Sequence, residues 1–179
     1  MTVMRRLLIA VLPLFFAVLT ACNSDIVDTG AQLKSDMDAI DAYTASHGLD
    51  AITDQSGIRF VITKLGKKGM PPRGDQTIKA AYVGKFLDGT VFDDGAGGAE
   101  GPLNSFIAGW QYCLNVWPSG TKGILFVPSP LGYGNRTVNS IPANSILMFE
   151  ISLNEVVLTN ADKARFTSDT TAIEKYLSD

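Results

Sequence analysis

An α+β domain, with mostly antiparallel strands around one short helix, is the fold class this sequence predicts. Three observations point to it. Apolar residues alternate along residues 77–87, and further strand-like runs lie at 58–65, 122–127 and 145–158. Trp110, Cys113, Leu114 and Trp117 fall at i, i+3, i+4 and i+7, which predicts a helix over 109–117 with a single apolar face. With 179 residues the chain can hold one domain with a real core and short extensions.

The elements follow in order. Arg5 and Arg6 precede an apolar run over 7–19, then Thr20-Ala21-Cys22. That run is short for a membrane span and has the layout of a secretory leader, so residues 1–21 are read as a signal peptide. Leu19-Thr20-Ala21-Cys22 also resembles a bacterial lipobox, which implies cleavage before Cys22 and lipid on its sulfur and amine. Residues 22–55 read as a tether and a short amphipathic helix. Leu33, Met37, Ile40 and Tyr43 recur at helical spacing over 31–46, and Ser46-His47-Gly48 stops the pattern.

The main domain spans 56–158. Gly69-Met70-Pro71-Pro72-Arg73-Gly74 breaks the chain after the first long strand. In the next, Ile78, Ala80, Tyr82, Gly84 and Phe86 share one side. Asp88-Gly89 is a hairpin-type turn. Residues 94–101 hold four glycines and read as a flexible loop. Pro118-Ser119-Gly120 ends the short helix, and residues 128–143 form a long loop before the final strand. Residues 159–179 are a polar C-terminal extension with a helical pattern at 172–178.

Charge and composition narrow the function. The formal net charge is −3, and without Arg5 and Arg6 the 13 remaining Lys and Arg face 18 acids, about −5. Such a chain lacks the basic patch that nucleic acid or anionic lipid would need. With Cys22 lipidated, Cys113 has no intrachain partner. The single histidine, His47, sits beside Gly48 in a turn-like context, with no histidine or second cysteine near it. Metal ligation and a Ser-His-Asp arrangement therefore have almost no material, and no cofactor is implied.

What remains is an aromatic set: Tyr82, Phe92-Asp93, Phe106-Ile107-Ala108-Gly109-Trp110, Leu131-Gly132-Tyr133-Gly134, Ile141-Pro142 and Phe149. These residues fall at strand ends, turns and one short helix, so they converge only in a closed fold. There they would line an apolar cup with a few polar tips, suited to a flat apolar group such as proline. Singly, the members read differently. Trp110, Tyr82 and Phe149 have the spacing of core residues, and Asp93 could cap a turn. Tyr133, between two glycines, is hard to place in a core.

Four motifs in order carry a more specific resemblance. They are Tyr82-Val83-Gly84-Lys85-Phe86-Leu87-Asp88-Gly89-Thr90-Val91-Phe92-Asp93, Pro102-Leu103-Asn104-Ser105-Phe106-Ile107-Ala108-Gly109-Trp110, Leu131-Gly132-Tyr133-Gly134 and Ile141-Pro142-Ala143-Asn144-Ser145-Ile146-Leu147-Met148-Phe149. Residues 56–158 resemble an FKBP-type peptidyl-prolyl cis-trans isomerase domain. The resemblance implies a curved antiparallel sheet wrapped around a short helix, with the site between them. It implies Trp110 at the pocket floor, Tyr82, Phe92 and Phe149 as walls, and Asp93 as an acid that orients its neighbours. It implies a Tyr133 hydroxyl that reaches the substrate carbonyl, and Phe106, Ile107 and Ile141 as substrate-binding residues.

The chemistry agrees with a chain that lacks nucleophile, metal and base. An Xaa-Pro bond has a cis/trans preference of about 0.5–1 kcal/mol and a barrier of about 18–20 kcal/mol. At the twisted transition state the amide loses conjugation and charge separation, so a dry apolar pocket favours it over the planar form.

Some positions depart from the family pattern. Gly101 stands where an aromatic residue is usual, which predicts an open or mobile wall near Gly97–Gly101. Phe106 stands for a valine, Cys113 for a glycine, Trp117 for a methionine, and Ser140 for a more apolar residue. The implied partners are proline-containing unfolded or extended polypeptides, with macrolide inhibitors of the family as possible ligands. A non-catalytic peptide-binding or chaperone module using the same cup is the alternative, and an adhesin or structural lipoprotein has only the lipobox behind it. The expected location is the cell envelope, lipid-anchored. The outer membrane is mildly favoured, because Asn23 is not the aspartate that often retains lipoproteins at the inner membrane. A monomer is expected from the short segment before the sheet.

Overall fold

The computed structural model describes residues 29–67, 70–165 and 167–168; the leader at 1–21, Cys22 and the helical pattern at 172–178 lie outside them. Seven strands form one antiparallel sheet: β1 (Ile52–Thr53), β2 (Arg59–Lys64), β3 (Thr77–Lys85), β4 (Val91–Asp93), β5 (Ala99–Pro102), β6 (Lys122–Val127) and β7 (Leu147–Val156). Their order is β1-β2-β6-β7-β3-β4, with β5 paired to β3. Helices α1 (Thr29–Ser46) and α2 (Ala108–Leu114) pack with the sheet, and residues 160–165 are also helical. The α+β class and the antiparallel sheet are as the sequence predicts.

Period-two alternation decides which side chains meet α2. Leu147, Phe149, Ile151 and Leu153 of β7 are all buried on the inner face, joined by Leu125 and Val127 of β6 and by Ile78 and Ala80 of β3. Trp110, Cys113 and Leu114 of α2, with Trp117 just beyond it, fill the same core. The helix ends at Leu114, short of the predicted 117, yet Trp117 stays 1% exposed against Phe60. Burial pushes the Cys113 thiol far above its ordinary pKa, so this cysteine is core, not a nucleophile.

α1 packs on part of the other face of the sheet. Ile40, wholly buried, packs on Phe126 and Met148, with Tyr43, Leu49, Val61 and Ile124 around them. The residues this helix buries most are Asp36, Ile40 and Thr44. Leu33, Met37 and Tyr43 of the predicted stripe are only half-buried. Asp36 and Thr44 lie on the same side of the helix as that stripe, so polar ties are built into the face that hydrophobicity predicts. Asp36 accepts hydrogen bonds from the Ser129 backbone N–H and hydroxyl. Asp41 takes a bidentate pair from Arg59, whose third bond goes to the Gly57 carbonyl. The segment read as a tether and short helix thus carries an 18-residue helix docked on the sheet.

Two boundaries also differ. Residues 99–102, read as loop, pair with 77–80 of β3. The final strand is Leu147–Val156, not 145–158. After it, Thr159 and Asp162 cap a helical turn reciprocally: each side chain accepts the other's backbone N–H, at 3.1 and 2.9 Å. Asp162 also pairs with Arg73.

Candidate functional site

Between α2 and the inner face of the sheet lies a cleft of about 310 Å³. All nine pocket residues named from the sequence line it: Tyr82, Phe92, Asp93, Phe106, Ile107, Trp110, Tyr133, Ile141 and Phe149. They arrive from β3, β4, β7, the entrance and body of α2 and the loop between β6 and β7, which no single stripe could unite.

Two glycines allow the convergence. At Gly109 a Cβ would stand 2.5 Å from a Val127 methyl, so α2 sits directly on β6 and sets Trp110 at the cleft floor. At Gly84 the Phe92 ring occupies the space of a Cβ, so β4 folds its ring over β3. The rings then meet mostly edge to face. Tyr82 lies 5.2 Å from Trp110 at 85°, Phe92 lies 5.6 Å from Phe149 at 89°, and Trp110 lies 5.5 Å from Phe149 at 89°. These are favourable arrangements, each about 0.5–1.5 kcal/mol beyond area burial, and they fix the walls against one another.

Polar groups are few and placed. The Tyr82 hydroxyl donates to Asp93 Oδ2 at 2.6 Å, and Gly95 N–H donates to Asp93 Oδ1 at 3.0 Å. Burial first, then the Asp93 acceptor and its charge, push the Tyr82 pKa up to about 12. Gln111 donates to the Phe106 carbonyl at 2.7 Å, pinning the turn that enters α2. The site therefore offers aromatic faces, a carboxylate at the rim and hydroxyls from Tyr82 and Tyr133.

The wall beside Gly101 differs from expectation. Gly101 is on paired β5, and the Phe106 ring reaches to 3.7 Å from where its Cβ would be. Phe106 stacks on Trp110 at 5.2 Å and 21°. The larger ring at 106 thus stands beside the side-chain-free position at 101, while a Cβ at Gly97 would meet nothing within 4 Å.

Sequence reasoning missed Ala99, Ser105, Val138 and Asn139 among the lining residues. Val138 and Ile141 exchange backbone hydrogen bonds at 2.9 Å, and Asn139 between them has φ 51°. The signal was present. Asn-Ser between two β-branched residues is a two-residue hairpin turn pattern, and it aims Asn139 and Ser140 at the cleft.

Comparisons with known proteins point to one family. Residues 68–154 match the family of FKBP-type peptidyl-prolyl cis-trans isomerases. The chain is 36% identical over 111 residues to the FKBP-type peptidyl-prolyl cis-trans isomerase FkpA of Aeromonas hydrophila, covering 60% of this chain and 41% of that one. It is 37% identical over 105 residues to the outer membrane protein MIP of Legionella longbeachae, covering 56% of this chain and 45% of that one. The chain thus spans less than half the length of these two relatives. A solved peptidyl-prolyl cis-trans isomerase from Pseudomonas syringae superposes with a TM-score of 0.62 at 29% identity, covering 73% of this chain and 96% of that one.

Proposed function

The chain belongs, through residues 68–154, to the FKBP-type peptidyl-prolyl cis-trans isomerases, and on that premise we propose that it catalyses rotation about Xaa-Pro bonds in secreted or envelope proteins. The observation that carries this reading is the ring-lined cleft with Trp110 at its floor, 3% exposed, and Tyr82, Phe92 and Phe149 around it. A prolyl ring seated on Trp110 is shielded from water by those walls. The planar amide, with its larger charge separation, loses solvation there, while the twisted amide loses less. The Tyr133 hydroxyl is available to the substrate carbonyl. The Tyr82–Asp93 pair keeps the Tyr82 hydroxyl protonated and its ring fixed. No proton need move and no covalent bond to the protein need form.

The test is acceleration of cis-trans isomerisation in a short Xaa-Pro peptide by residues 23–179. Trp110→Ala is expected to abolish most of it, and Tyr133→Phe to lower kcat/KM by about 1 kcal/mol, several-fold. A wild-type protein that binds the peptide without accelerating it would be a binding module instead. The same cleft should admit macrolide inhibitors of the family, which would compete with the peptide. Phe106 and Ser140 at the cleft should alter the preference for the residue before proline. A peptide panel ranked as by a valine-bearing relative would refute that.

The proposed location is the envelope, with residues 1–21 removed and Cys22 lipidated. The leader pattern and the outer-membrane name of the Legionella longbeachae relative support it. Mass spectrometry of the mature N-terminus checks it, and Cys22→Ala should abolish the lipid. A monomer is proposed because α1 spends its most buried face on its own sheet. Sedimentation equilibrium at a dimer mass would contradict this.

A further inference from the structure

Tyr133 sits in a loop between β6 and β7 whose shape is set by Ser129. The Ser129 carbonyl accepts the backbone N–H of Gly132 at 3.0 Å and of Gly134 at 2.8 Å, so the two neighbours of Tyr133 hang from one atom. Gly134 in turn accepts Asn144 N–H at 2.8 Å, tying the loop to the approach of β7. The other polar groups of Ser129 leave the loop entirely. Its N–H and hydroxyl both go to Asp36 Oδ2, at 2.7 and 2.6 Å, 93 residues away on α1. Asp36 is 3% exposed and Ser129 wholly buried, and Gln32 donates to the remaining carboxylate oxygen at 2.7 Å. One turn further along α1, Asp41 grips Arg59, which fixes the helix lengthwise and in rotation.

A buried carboxylate is costly unless every oxygen is paired, and an apolar residue would pack α1 with less expense of solvation. What the carboxylate adds is direction: two short charge-assisted bonds to one residue hold that residue in one orientation. We propose that Asp36 is a positioning residue for Tyr133, with α1 as a brace whose hold on Ser129 sets the Tyr133 loop. The inference rests on the isomerase reading for its effect on rate, but not for its effect on the loop. Asp36 acts through Ser129 and touches no substrate.

The experiment uses the full chain as wild type, Asp36→Ala, Asp36→Asn and Ile40→Ala, at a temperature where circular dichroism shows each folded. Two quantities are read: kcat/KM on an Xaa-Pro peptide, and hydrogen exchange at the Gly132 and Gly134 amides. Asp36→Ala should lower kcat/KM about tenfold and deprotect both amides, since misplacing a positioned group by a fraction of an ångström has effects of that order. Asp36→Asn keeps one acceptor oxygen and should recover part of both. Ile40→Ala loosens the same helix without touching Ser129, so it should stay within about twofold in rate and keep both amides protected. A fall with Ile40→Ala as large as with Asp36→Ala would reduce the effect to general stability and overturn the proposal. Unchanged amide protection in Asp36→Ala would overturn it too. If Asp36→Ala does not fold, Ser129→Ala, which removes the hydroxyl bond to Asp36 and leaves the Ser129 carbonyl in place, decides instead: wild-type rate and protection would refute the brace. If wild type itself does not accelerate the peptide, the isomerase reading fails, while amide exchange still judges the brace.

Discussion

Tyr82 shows how one side chain's surroundings set the pocket's chemistry. Its pKa of about 12 lies above the ordinary tyrosine value of 10.0 because burial disfavours the phenolate and Asp93 stands beside it. The folded state therefore holds this proton more tightly than the unfolded state does. The associated stability is complete below about pH 10 and is lost as pH rises towards 12. Native tyrosinate absorbance should show one tyrosine titrating late, and Asp93→Ala should bring it part of the way back while burial keeps the rest. Simultaneous ionisation of all five tyrosines would contradict this. Gly109→Ala tests the close approach of α2 to Val127. The added methyl has no room, so a loss of about 1–3 kcal/mol in urea unfolding is expected, with a weaker pocket because Trp110 moves with the helix. Neither effect is legible in the sequence. The tyrosine and aspartate stand 11 residues apart, and Gly109 looks like an ordinary helix glycine until Val127 is brought beneath it.

Among the elements, α1 and the chain after β7 were the ones periodicity described least well. Hydrophobic spacing found α1 and its face but not the burial of Asp36 on it, because Asp36 is buried by what it binds and a hydropathy pattern counts it as solvent-facing. β5 was hidden for a different reason: Ala99-Glu100-Gly101-Pro102 has almost no side chains to alternate, and only pairing with β3 makes it a strand. By contrast β3, β6 and α2 were legible because one face of each is densely apolar. Ile40→Ala should cost about 2–5 kcal/mol in denaturant unfolding, since Phe126 and Met148 cannot close over the gap. At the other end, Arg73 and the Thr159 cap hold the Asp162 carboxyl well below the usual carboxylate range. A depressed pKa means its contribution is present above the unfolded value of about 4 and is lost as pH falls below it. Hydrogen exchange in the turn after Thr159 should therefore rise on acidification before the sheet opens, and Thr159→Ala should weaken that turn by about 1 kcal/mol at neutral pH.

For the molecule as a whole, α2 fills the inner face of the sheet and α1 covers part of the outer face, over Phe126 and Met148. Deleting residues 29–46 would bare Phe126 and Met148, and the expected result is an aggregating chain, read by light scattering, rather than a smaller working domain. The strand order itself was not legible in the sequence. Alternation says which residues face inward, not that β7 lies between β6 and β3. That placement has a consequence in time. β7 is the last of these seven strands to leave the ribosome, yet it joins the two halves of the sheet, pairing with β3 from Ile78 to Lys85 and with β6 from Lys122 to Val127. Until it emerges, β3–β5 and β2–β6 have no partner in common, and Phe149 is missing from the cleft. A growing chain can thus complete neither its sheet nor its pocket piecemeal; both wait on the pairing of β7 with strands made long before it.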